Sequence, residues 1–161
     1  AYASRKADGA LALLVINKDN ATMFNAQLTL TNFVPWTNAF VRSFGITQDE
    51  ATRTNGPAAA QDIGTNQIAV AGNTFPAPFP PYSVTLLTFP PAAPTLVALP
   101  PANGRCILQV QGQPGVPYQI QTSTNFASWS SNVTVTLSGT TGYVTNQLSP
   151  GVKFWRAAWL P

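Results

Sequence analysis

Histidine is absent from the 161 residues. That removes the usual general base near neutral pH, most serine–histidine arrangements, and the commonest zinc and copper ligand, the histidine-brace copper oxidases included. The single cysteine, Cys106, allows no intrachain disulfide and no thiolate metal site. In the strand-like run Arg105-Cys-Ile-Leu-Gln-Val it reads as a buried, inert thiol. Charged residues make up only 8% of the chain, and five of them are acids: Asp8, Asp19, Asp49, Glu50 and Asp62. Glycoside hydrolysis uses two carboxyls about 5–10 Å apart across the scissile bond. Asp8 and Asp19 flank one extended run, which at roughly 3.3 Å per residue holds them at its opposite ends. Asp49 and Glu50 are adjacent in a polar stretch and read as solvated loop acids. With Asp62 they form the one loose calcium candidate, short of the clustered carboxylates such a site needs. Gly112-Gln-Pro-Gly lacks the spacing and the lysine of a phosphate-cradling loop. No apolar run spans a membrane, since Ala10–Ile16 is too short. The eight basic residues are scattered without a stripe, so the net charge of +3 marks scarce acids rather than a nucleic-acid footprint. No catalytic residue, metal or cofactor is expected.

What is present is the vocabulary of strands and turns. Fifteen prolines and eleven glycines punctuate a chain that is 45% hydrophobic and filled out with Thr, Val, Asn, Gln and Ser, so low charge does not mean disorder. Strand candidates run over Ala10–Asn17, Phe24–Thr31, Ala39–Ile46, Gln67–Ala71 and Ser83–Phe89. The first is continuously apolar, as in a strand buried on both faces, and follows the turn signal Asp8-Gly9. Residues 47–65 read as a long polar loop. Thr74–Tyr82, with four prolines, reads as an ordered extended loop. Phe89-Pro-Pro-Ala-Ala-Pro is a stiff linker, dividing the chain into modules at 1–91 and 92–161. Beyond it come Cys106–Gln111, Val116–Thr122, Val133–Leu137, Tyr143–Asn146 and Lys153–Trp159, with turns at Gln113-Pro-Gly, Ser138-Gly and Ser149-Pro-Gly. One short turn fits near Asn125–Ser128. Strands at intervals of roughly ten residues predict an all-β fold of two antiparallel β-sandwich modules joined by a proline-rich linker. Asn20-Ala-Thr and Asn132-Val-Thr fit the glycosylation sequon, a pattern common by chance in such a composition.

Aromatic residues are the remaining resource. A pyranose stacks its apolar face on an aromatic ring while amides and guanidinium groups bond its hydroxyls, and Trp and Tyr suit that task. Trp36, at a loop edge after Val34-Pro35, and the pair Trp155 and Trp159 are the leading sugar platforms; Tyr143 and Trp129 complete the set. Trp155, Ala157 and Trp159 share one strand face with Lys153, and Phe154 and Arg156 share the other. One face is core, and the sequence leaves open which. Trp129, just after a polar turn, reads rather as a plug of the module's core.

Two stretches resemble known families. Ala7-Asp-Gly-Ala-Leu-Ala-Leu-Leu-Val-Ile-Asn-Lys-Asp, Phe24–Leu30, and Phe79-Pro-Pro-Tyr-Ser-Val-Thr-Leu-Leu-Thr-Phe resemble the C-terminal β-sandwich that accompanies TIM-barrel glycoside hydrolases of family 44 and of the arabinofuranosidase and xylosidase groups. The resemblance covers roughly residues 1–90. It implies an accessory domain packed on a catalytic barrel that holds the catalytic acids. It also implies a first strand supplied from upstream of that barrel, whose lack leaves an unpaired edge. Tyr118-Gln-Ile-Gln-Thr-Ser-Thr-Asn-Phe-Ala-Ser-Trp and Lys153-Phe-Trp-Arg-Ala look like a fibronectin type III-like repeat at the C-termini of secreted bacterial proteins, over about residues 94–161. Together they imply a secreted, non-catalytic carbohydrate-binding or accessory module. Its partners would be a β-glucan or hemicellulose and a glycoside hydrolase domain, with neither nucleic acid nor membrane. The alternative is a structural spacer or attachment domain that binds no sugar.

Overall fold

A computed structural model describes residues 1–55, 63–148 and 150–161. It is an all-β protein of antiparallel sheets with one helix among the described residues. The chain divides into two compact units, Ala1–Pro90 and Pro91–Pro161.

The first unit sets a five-stranded sheet against a two-stranded one. The strands are β1 (Tyr2–Arg5), β2 (Leu11–Asn17), β3 (Phe24–Thr29), β4 (Asn38–Phe44), β5 (Gly64–Ala69), β6 (Thr74–Phe79) and β7 (Ser83–Phe89). The larger sheet has the order β1-β2-β7-β4-β5, and β3 pairs only with β6. Alternation drives the packing: Leu87 and Phe89 on β7, Ala39 on β4, and Phe75, Ala77 and Phe79 on β6 are buried together. Asp8-Gly9 turns β1 into β2, with Gly9 at φ 89° and the Asp8 carboxylate accepting the Ala10 amide at 2.9 Å. Asn17 is buried, and its amide donates to the Phe79 and Pro80 carbonyls at 3.0 and 2.8 Å, tying β2 to the end of β6. β1 covers the edge of β2, and among the described residues β3 and β6 each keep an open edge.

The second unit stacks two three-stranded sheets, in the orders β11-β10-β13 and β12-β9-β8. Its strands are β8 (Thr95–Ala102), β9 (Arg105–Gln111), β10 (Pro117–Ser123), β11 (Ser130–Thr136), β12 (Thr141–Gln147) and β13 (Phe154–Trp159). Tyr118 and Ile120 from one sheet meet Leu108, Val110 and Val144 from the other. Cys106 is half-buried against this core. The buried Tyr118 hydroxyl accepts the Gln113 amide at 2.9 Å, and Gly112 leaves room for its ring, since a Cβ there would lie 2.6 Å from it.

Several elements depart from the sequence expectation. The stretch 47–65 is not one loop: α1 (Ile46–Asn55) opens it and β5 begins at Gly64. The helix has Asp49 in its first turn and no apolar stripe, which is why periodicity missed it. Asp62, and the rest of 56–62, lie outside the described residues, as does Ser149 of the third turn. Thr74–Phe79 is a strand despite Pro76 and Pro78, and Thr95–Ala102 is a strand despite Pro100 and Pro101. Both are edge strands, where a missing amide costs no ladder bond, and Pro100 and Pro101 fall at a register shift. β2 is not buried on both faces, because Ile16 is exposed on its outer side.

Candidate functional site

Strand β13 decides the question the sequence left open. Trp155, Ala157 and Trp159 pack against the core of the second unit, so both rings are partly buried. The opposite parity, Phe154 and Arg156, therefore faces outward beside β10. There Arg156 pairs with Gln121, Ala158 with Gln119, and Phe154 with Ser123.

Three aromatic rings gather at one end of this outer face. Phe126 stacks on Phe154 with centroids 3.6 Å apart and meets Trp129 edge-on at 6.2 Å. Phe126 is 63% exposed and sits at φ 60°, a left-handed backbone that a bulky side chain rarely adopts. The loop is built to hold it there. Asn125 Oδ1 accepts the amides of Ala127 and Ser128 at 3.0 Å each, and Trp129 Nε1 donates to the Phe126 carbonyl at 3.0 Å. Trp129 is thus no core plug: it lies on the outer side, with the Arg156 guanidinium 4.3 Å above its ring.

Arg156 is fixed twice, by that stacking and by its Nε donating to Gln121 Oε1 at 2.7 Å. Gln121 Nε2 in turn donates to Gln119 Oε1 at 2.6 Å. The result is an aromatic ledge bordered by a clamped guanidinium and two amides, the mixture of apolar face and polar fingers that suits a sugar ring.

The other expected residues stand apart. Tyr143 is 62% exposed on the outer face of the opposite sheet, opposite Gln109 in register, with the amide 3.5 Å from its hydroxyl. Trp36 is 53% exposed in the first unit, its backbone amide donating to the Pro90 carbonyl at 2.8 Å. Phe126, Phe154, Arg156 and Gln121 were not foreseen as a group. Their one sequence signal was the alternation along Lys153–Trp159.

Among the described residues the carboxylates do not assemble. Asp8 and Asp19 lie beyond opposite ends of β2, and Asp49 and Glu50, consecutive on α1, project in different directions. Burial raises the Asp8 pKa, but the Lys6 ammonium at 2.8 Å and the Ala10 amide outweigh it and hold the carboxyl below its usual range. The amides of Ala21 and Thr22 do the same for Asp19. Among the described residues no three His, Cys, Asp or Glu side chains could share a metal, and no helix is long and apolar enough to cross a membrane.

No protein-family profile matches the chain, and no curated protein matches it. Among solved structures it is similar to the bacterial orthologue of human α-L-iduronidase, with a TM-score of 0.28 and 16% identity over 96% of this chain. The chain spans about a third of that structure's length, 34%. A superposition that loose fixes neither the topology nor the activity of this chain.

Proposed function

We propose that the chain is a non-catalytic carbohydrate-binding accessory module of a secreted polysaccharide-degrading enzyme. The observation that carries this reading is the ledge of Phe126, Trp129 and Phe154 beside Arg156, whose hydrogen bonds run on through Gln121 to Gln119. Tyr143, among the glutamines and threonines of the opposite sheet, and Trp36 are secondary platforms. The chain lacks histidine, and among the described residues Asp8 and Asp19 lie beyond opposite ends of β2 while Asp49 and Glu50 are consecutive on α1, which supports a role without proton-transfer chemistry. The ligand is a β-glucan, a hemicellulose or a related plant-type glycan. Retention of the whole chain on insoluble cellulose, xylan, mannan or cross-linked pectate tests this. We expect retention on at least one, and Phe126→Ala/Trp129→Ala together to abolish it. Passage through all four matrices would refute it.

A second reading, a spacer that binds no sugar, is favoured by a different surface. On the outer face of the five-stranded sheet, Ile16, Val84 and Phe44 form one row across β2, β7 and β4, and all three are exposed. An apolar strip of this kind suits packing on a neighbouring domain, here the catalytic domain of the parent enzyme. Both roles can coexist, one in each unit.

A further inference from the structure

The net charge of +3 is not shared between the two units. Residues 1–90 hold five basic and five acidic side chains, which cancel. Residues 91–161 contain Arg105, Lys153 and Arg156 and not one Asp or Glu. Arg156 therefore has no side-chain carboxylate in its own unit to pair with. Its guanidinium is positioned instead by neutral groups, over the Trp129 ring at 4.3 Å and bonded through Nε to Gln121 at 2.7 Å. Those contacts use one face and one edge of the fork. The two terminal nitrogens, Nη1 and Nη2, remain as a pair of parallel donors, the geometry that grips a carboxylate with two hydrogen bonds. Holding the side chain beforehand lowers the entropy lost on binding. The exposed Phe126 ring lies next to Trp129, centroids 6.2 Å apart, and Arg156 lies over Trp129, so the exposed ring and the guanidinium flank the same indole.

From this we infer that the glycan recognised at the ledge carries carboxylates: a uronate-containing polysaccharide, with the pyranose ring on Phe126 and its carboxylate on the Arg156 fork. The inference rests on the sugar-binding reading and narrows its substrate class. Phosphate backbones fit less well. Nucleic-acid binding draws on several converging cations, and the three in this unit are placed separately: Arg156 over Trp129, Lys153 over the Trp155 ring at 5.5 Å, and Arg105 on β9 in the other sheet.

Affinity gel electrophoresis of the whole chain tests it, with polygalacturonate and glucuronoxylan each run beside its carboxyl-reduced form at physiological salt. We expect at least one native polymer to bind about tenfold or more tighter than its reduced form, the range of a charged hydrogen-bond pair. Arg156→Gln should erase that preference, and Arg105→Gln, which removes the same charge elsewhere, should keep it. Tryptophan fluorescence verifies that both variants are folded. Dextran sulfate and duplex DNA should bind more weakly than the preferred uronate polymer. Equal binding of native and reduced polymers, or Arg156→Gln matching wild type, overturns the inference while leaving a neutral-sugar module intact. Dextran sulfate or DNA binding as tightly as the uronate polymer also overturns it. Failure to bind any glycan, neutral or acidic, overturns the sugar-binding reading itself.

Discussion

At the scale of single residues, Phe126 is held in a conformation that its side chain opposes. A left-handed backbone costs a residue with a Cβ about 1–2 kcal/mol, and glycine almost nothing. The ring returns part of that through its stack on Phe154, a contact of about 0.5–1.5 kcal/mol. Phe126→Ala loses the stack and keeps the strain, whereas Phe126→Gly loses both. We expect the glycine variant to be more stable than the alanine variant by about 1 kcal/mol in urea denaturation, the reverse of the usual order in ordinary backbone. Both should lose the ledge. Equal stability of the two would show that the loop relaxes and that Phe126 is not strained. Nothing in the sequence Thr124-Asn-Phe-Ala-Ser announces the left-handed residue. The Asn125 cap that enforces it is visible only as hydrogen bonds.

At the scale of elements, proline explains what the sequence reading gained and lost. The apolar run of β2 and the alternating strands β4, β7, β9, β10 and β13 were legible to within a residue or two, because apolar burial fixes which residues they offer the core. β6 and β8 were hidden because proline argues against a central strand, and sequence alone does not say which strand will lie at an edge. β1 is four exposed residues with no apolar pattern at all, and α1 is a helix without an apolar stripe. The ledge was half legible: parity separated Phe154 and Arg156 from Trp155 and Trp159, but only the packed core showed which set faces water. The prolines of β6 have a further role. Pro76 and Pro78 stand opposite Gln27 and Asn25 while the core residues Phe75, Ala77 and Phe79 alternate with them. They deprive an open edge of donors and so discourage another chain from pairing there. Replacing both with threonine should leave the fold intact and produce concentration-dependent association, read by light scattering after size exclusion. A variant that stays as dispersed as wild type at high concentration would remove this role from the prolines.

At the scale of the whole molecule, the two units differ in how acid reaches them. Every side-chain carboxylate belongs to the first unit. The two with resolved shifts, Asp8 and Asp19, have folded pKa values below the ordinary 3.8. A lowered folded pKa contributes stability that is complete above the unfolded value and is lost as pH falls through the folded one. The first unit should therefore weaken below about pH 4. The second has no acidic side chain to protonate in that range. Scanning calorimetry from pH 6 down to about 2.5 should show one transition moving to lower temperature and another staying in place. Two transitions that fall together would contradict this division.

Strand β13 serves two masters through alternate positions. Residues 155, 157 and 159 answer to the interior, and 154 and 156 answer to whatever arrives from solvent. Arg156 can thus change without touching the interior, so on the proposed reading the outward letters of this strand are where a new specificity could be written while the inward ones stay fixed.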